Sequence, residues 1–208
     1  WFRHDLAAPQ EGDFAVHMDA SPSPFGEEGS LLLRVGIKAR EVARADRKPL
    51  NLVFVIDKSG SMKKQDRLNL VKRSLELLVD QLREDDTVGL VTFDSQAHLV
   101  LEPTRGETRW EIREALRNIS AGGSTNAGAG LDMGYELAER AFREGAINRI
   151  ILCSDGVANT GETDQARILE KVKSSAERQI DLTSIGVGMG NHYDVFLEQL
   201  ADKGDGSC

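Results

Sequence analysis

From Leu50 onward the chain alternates short, unbroken apolar runs with longer stretches of helical periodicity, and this constrains its fold more than any other feature. Leu52-Val53-Phe54-Val55-Ile56 contains no polar residue, the mark of a strand covered on both faces. Thr87 to Phe93, Ala97 to Leu101 and Arg149 to Cys153 read as further buried strands, and Ile180 to Val187 as a strand. Between them, Leu68, Val71, Leu75 and Leu78 share one face of a helix predicted over 64–83. Helices are also predicted over 110–119, 126–142, 164–177 and 195–201. Such alternation predicts an α/β fold with a doubly wound, mostly parallel sheet flanked by helices. The strand order expected for it is 3-2-1-4-5. The short link between the second and third of these strands predicts one antiparallel hairpin at an edge.

Residues 1–49 read differently. Phe14 to Met18 alternates apolar and polar residues, as a half-buried strand does, and Ser21-Pro22-Ser23-Pro24 is expected to break it. Leu31 to Ile37 is a second strand candidate, and the charged run Arg40 to Lys48 with Pro49 reads as a linker. The expected organisation is a small N-terminal β extension and linker over 1–49, leaning on a main domain over 50–208. Both ends read as cuts in a longer protein: the chain starts at Trp1 and stops in the turn-like Lys203-Gly204-Asp205-Gly206-Ser207-Cys208.

In open parallel sheets, ligands sit beyond the carboxyl ends of the strands where the strand order reverses. The first buried strand runs into Asp57-Lys58-Ser59-Gly60-Ser61, and the 149–153 strand into Ser154-Asp155-Gly156. Between them in sequence, Gly122-Gly123-Ser124-Thr125-Asn126 opens a helix. The side chains collected at these ends are Asp57, Ser59, Ser61, Thr125 and Asp155: two carboxylates and three hydroxyls, with no His or Cys. Such hard oxygen donors select Mg²⁺, Mn²⁺ or Ca²⁺ over Zn²⁺ or Cu²⁺. The alternate spacing 57, 59, 61 predicts three side chains on one side of an extended loop. With only two carboxylates, a position left to water is open to a carboxylate from outside.

These segments resemble the von Willebrand factor type A domain, whose metal-ion-dependent adhesion site the DKSGS, GGSTN and SDG stretches match in order. The resemblance implies a Rossmann-like fold over about residues 50–208, and Mg²⁺ or Mn²⁺ held by Asp57, Ser59, Ser61, Thr125 and Asp155. It implies a protein partner that presents an Asp or Glu to the metal, and a binding module rather than an enzyme. The SGSM stretch and the strand pair ahead of the domain look most like bacterial cell-envelope members, which implies an extracytoplasmic setting. Lys58 stands where the family often has a small residue, pointing away from the ion or steering an acidic partner. The chain stops before the family's usual last strand and helix. If the shell rearranges on binding, the loop at Asp155 and the 195–201 helix are the expected movers.

Composition narrows the alternatives. A net charge of −8 argues against a general binder of nucleic acid or anionic membrane, and 5% aromatics leave few stacking platforms. No apolar run reaches the roughly 18 residues of a membrane-spanning helix. Cys153 and Cys208 make no disulfide framework, and Cys153 reads as a packed thiol. The rival function is a metal-dependent hydrolase or phosphatase with Asp57 as nucleophile. Its general acid would fall on Ser59, which cannot do that work near neutral pH. An EF-hand starting at Asp57 would put Met62 and Leu68 where Gly and Glu are required. Gly186-Val187-Gly188-Met189-Gly190 suggests a dinucleotide loop, but the third glycine of that fingerprint falls on Asn191. His4, His17, His98 and His192 lack metal-ligand spacing. Ser124 and Thr125 are also plausible helix N-caps. Lys63-Lys64 reads as a solvated helix start, and the sequon Asn118-Ile119-Ser120 as accidental.

Overall fold

A computed structural model describes residues 5–26, 29–43, 45–156, 165–188 and 194–208. His4, His192 and the Met189 to Asn191 stretch lie outside the described residues, as do residues 157–164. The chain divides into two units, Trp1–Arg47 and Lys48–Cys208.

In the first unit, β1 (Phe14–Pro22) and β2 (Leu31–Ala39) pair antiparallel, from Phe14 opposite Ala39 to Pro22 opposite Leu31. The strand therefore runs on to Pro22 instead of breaking before it. At the end of a two-stranded ribbon a proline removes no interior ladder bond. The register sorts the side chains. Phe14, Val16, Met18, Leu33, Val35 and Ile37 belong to cross-strand pairs of one face and are exposed. Asp19 and Arg34 pair on the other, with Arg34 Nε donating to Asp19 Oδ2 at 3.1 Å.

The second unit carries β3 (Leu50–Asp57), β4 (Thr87–Phe93), β5 (Ala97–Arg105), β6 (Ile147–Ser154) and β7 (Ile180–Gly186). They form one sheet in the order β5-β4-β3-β6-β7, parallel except for the β4–β5 edge pair. This is the expected doubly wound order with its edge hairpin. Period-two alternation divides β3 between two cores. Val53 and Val55 face α3 (Ala127–Arg140), α4 (Gln165–Ala176) and α5 (Asp194–Lys203), joining Leu131, Val172 and Leu200. Leu52, Phe54 and Ile56 face α1 (Arg67–Gln81) and α2 (Arg109–Arg117), joining Val71, Leu75 and Ile112. No helix among the described residues is long and apolar enough to cross a membrane.

Two local expectations are corrected. The first helix starts at Arg67, not at 64, because Gln65 and Asp66 adopt left-handed φ values of 50° and 59° after a 3₁₀ segment over Gly60–Asp66. The cap of α3 is Asn126, whose side chain accepts from the Ala129 N–H at 3.1 Å, and neither Ser124 nor Thr125 fills that position. Beyond α5 the chain runs along the outer edge of β7: Leu182 N–H donates to Gly204 O (2.8 Å) and Ser184 N–H to Ser207 O (3.0 Å).

Helix α3 approaches the sheet through its glycines. A Cβ at Gly130 would lie 2.5 Å from Phe93 Cδ1 and 3.0 Å from Phe93 Cβ, and one at Gly134 would lie 2.5 Å from Val55 Cγ2. Gly130→Leu is expected to lower stability by about 2–3 kcal/mol through overpacking. Urea unfolding of the variant against the wild type measures this, and an unchanged midpoint would show that the ring of Phe93 yields freely.

Candidate metal centre

Two parallel neighbours end side by side here, β3 at Asp57 and β6 at Ser154. Their final side chains are therefore thrown to the same end of the sheet, and the reversal of strand order at β3 leaves a crevice there.

Asp57 is fully buried. Its Oδ1 accepts from the Ser59 N–H at 2.8 Å and its Oδ2 from the Ser154 hydroxyl at 2.8 Å. Burial pushes the Asp57 carboxyl above its ordinary value against these hydrogen bonds, and the charge of Asp155 pushes the same way. Ser154 stands in the SDG segment, but a buried strand-end serine carries no sequence signal that separates it from a packing residue. It also accepts the Gly156 N–H at 3.2 Å, which shapes the turn holding Asp155.

The loop after β3 is extended only through Ser59 (φ −58°, ψ 168°), because the 3₁₀ turn begins at Gly60. The predicted three-residue extended face is thus cut short. The hydroxyls still converge: Ser59 Oγ lies 2.9 Å from Ser61 Oγ, and Ser61 Oγ donates to Asp155 Oδ1 at 2.9 Å. Ser59 is buried and Ser61 half-buried.

The glycine loop is docked onto this loop by backbone. Gly122 N–H donates to Lys58 O (2.7 Å), Gly60 N–H to Gly123 O (2.9 Å), and Asn126 N–H to Asp94 O (2.7 Å). Gly123 has φ +82°, and a Cβ there would lie 2.9 Å from Asp94 Cβ, so the close approach requires glycine. Thr125, between the docked Gly123 and Asn126, is buried.

Two cations border the oxygens. Lys58 points to Asp94, its Nζ donating to Asp94 Oδ2, so its ammonium turns away from Asp57. Burial pushes the Asp94 carboxyl up, but the Lys58 hydrogen bond, the Gln96 N–H and the Lys58 charge outweigh it and hold the group at about 2. The sequence alone gives Arg67 no distinguishing mark. Its Nη1 donates to Asp155 Oδ2. The signal that could have found it is weak: a cation at the first turn of a helix, where carboxylates are the usual preference.

Other residues stand apart from the site. His98 reaches Asp94 Oδ1 at 3.5 Å, and His17 bonds Ala7 O at 2.9 Å. Burial pushes the Cys153 thiol up to about 12, so it is inert at neutral pH. Among the described residues no three His, Cys, Asp or Glu side chains gather to suit a metal ion. The oxygens that do gather, those of Asp57, Ser59, Ser61 and Asp155, are hydroxyls and carboxylates, a chemistry that would suit Mg²⁺ better than an ion that wants imidazole or thiolate.

The sequence profile described as von Willebrand factor type A domain matches residues 51–208. YfbK, an uncharacterized protein of Escherichia coli (strain K12), is 37% identical over 205 residues, covering 99% of this chain and 36% of that protein. Inter-alpha-trypsin inhibitor heavy chain H4 of Bos taurus is 33% identical over 206 residues, covering 94% of this chain and 22% of that protein. The chain thus spans well under half the length of these relatives. Among solved structures, the pilus adhesin SpaC from Lactobacillus rhamnosus GG shares the fold, with a TM-score of 0.61 at 16% identity over 95% of this chain and 33% of that one.

A carboxyl whose pKa is raised by folding costs stability once pH exceeds its unfolded value, because the folded state disfavours the ionised form. Asp57→Asn removes that charge and keeps an acceptor for the Ser59 N–H. In EDTA at pH 7 the variant is expected to unfold at a higher temperature than the wild type by calorimetry. A lower midpoint would mean that the carboxylate is favourably solvated where it stands.

Proposed function

Because the chain belongs to the von Willebrand factor type A domain family, we propose that it is a divalent-metal-dependent, non-enzymatic protein-binding module. In this reading residues 1–49 are a β extension and 50–208 the binding domain. Asp57, Ser59, Ser61, Thr125 and Asp155 would hold Mg²⁺ or Mn²⁺ in an adhesion site. When bound, the ion supplies a hard Lewis acid with a position open to an Asp or Glu of the partner. The observation that carries this reading is the unbroken run of contacts from Ser59 Oγ to Ser61 Oγ to Asp155 Oδ1, each 2.9 Å. It joins the ends of two strands that are far apart in sequence through small hard oxygens.

The residues divide the work. Asp57 anchors the loop, taking the Ser59 N–H and the Ser154 hydroxyl on separate oxygens. The serines contribute neutral donors, so the ion's charge is met by two carboxylates and no more. That balance favours a further carboxylate from outside. A hydrolase with Asp57 as nucleophile is disfavoured because Ser59 occupies the position of the general acid such an enzyme needs, and a serine hydroxyl cannot do that work near neutral pH. A cell-envelope setting belongs to the same proposal. Its support is the resemblance to bacterial envelope members and a fold shared with a pilus adhesin.

Titration with Mn²⁺ followed by electron paramagnetic resonance tests the reading. The wild type is expected to bind one ion, and Ser59→Ala to bind it at least about tenfold more weakly. Pull-down from native extract is expected to retain the partner in Mg²⁺ and release it in EDTA. Equal Mn²⁺ binding by wild type and Ser59→Ala, or a partner indifferent to EDTA, would contradict it.

A further inference from the structure

Arg67 is the first residue of α1, and the left-handed Gln65 and Asp66 just ahead of it turn the chain sharply into that helix. Its guanidinium is thereby set against the candidate centre. Arg67 Nη1 donates to Asp155 Oδ2, while Ser61 Oγ takes the other oxygen, Oδ1, at 2.9 Å. The Asp155 side chain is 6% exposed and that of Arg67 17%. Arg67 Nε is buried with no hydrogen-bond partner among the described residues. The backbone beyond β7 roofs the group. Gly188 has φ +116°, and a Cβ there would lie 2.7 Å from Arg67 Nε and 2.9 Å from its Cζ.

Charge decides what such a group does at a cation site. Asp57 and Asp155 carry two negative charges, and Arg67 returns one positive charge to the same cluster. A divalent ion that enters meets a local charge of minus one, not minus two, and the loaded cluster is left positive. We propose that Arg67 is a built-in counter-cation that loosens the hold on the ion and leaves the loaded site positively charged toward an incoming carboxylate. It is a positioning residue, acting through Asp155. The inference rests on the metal-dependent reading above and deepens it, because it assigns to one residue the balance between holding the ion and holding the partner. Were Arg67 instead needed to orient Asp155 as a ligand, its loss would weaken ion binding, so the two roles differ in sign.

The test compares the full 208-residue chain as wild type, Arg67→Gln and Arg67→Lys. Mn²⁺ affinity is read by electron paramagnetic resonance, and acetate is then titrated onto the Mn²⁺-loaded protein while water-proton relaxation is followed. Arg67→Gln is expected to bind Mn²⁺ about tenfold more tightly, the scale of relieving one like charge a few ångströms away in a partly buried site. Arg67→Lys, which keeps the charge, is expected to stay close to the wild type. Acetate is expected to displace ion-bound water at several-fold higher concentration in Arg67→Gln. If circular dichroism shows that Arg67→Gln has lost its helices, Arg67→Met replaces it. Equal or weaker Mn²⁺ binding by the neutral variant, or an unchanged acetate response, overturns the inference while the metal reading stands. A wild type that binds no Mn²⁺ overturns both.

Discussion

A carboxylate without solvent exposure is the constraint on which the rest of this structure turns. Asp57 ends the central strand of the sheet, and the fold has withdrawn it fully from water. An ionised group in that position is costly unless neighbours meet its lone pairs. One oxygen is met by the backbone of its own loop at Ser59, the other by a hydroxyl from the adjacent strand at Ser154. Those two contacts fix the entry of the loop, and the loop in turn gives the glycine segment its docking points at Lys58 and Gly60. The geometry of the other oxygens follows from the burial of this one.

The surrounding charges are arranged with opposite consequences. Lys58 is drawn aside by Asp94, so the cation nearest in sequence to Asp57 is neutralised outside the oxygen cluster. Arg67, further along the chain, is turned inward by two left-handed residues and meets Asp155. Different parts of the fold hold the two cations in place. Asp94 is held where Lys58 reaches it by the Asn126 N–H on its carbonyl, and Arg67 is confined under Gly188.

Much of this was legible in the sequence. The central strand declares itself because Leu52 to Ile56 carries no polar residue, and chain order with short connections leaves few ways to wind the others around it. Asp57, Ser59, Ser61 and Asp155 stand out because they lie at the ends of such strands, and the structure brings all four into one cluster of contacts. Thr125 came with its glycines, and the loop carrying it is docked at the same end of the sheet. The start of α1 is not legible because left-handed Gln65 and Asp66 are not residues that announce a break, as glycine would. Ser154 and Arg67 escaped for a related reason. A serine at a strand end and an arginine at a helix start are common, and only their distances to Asp57 and Asp155 give them a role.

The most direct measurement is a crystal structure of the protein grown in Mn²⁺, with diffraction recorded at the manganese absorption edge. The account predicts a single strong anomalous peak bounded by Asp57, Ser59, Ser61, Thr125 and Asp155, with at least one coordination position facing solvent. A peak elsewhere on the surface, or a crevice closed over those five residues with no ion in it, would contradict the account.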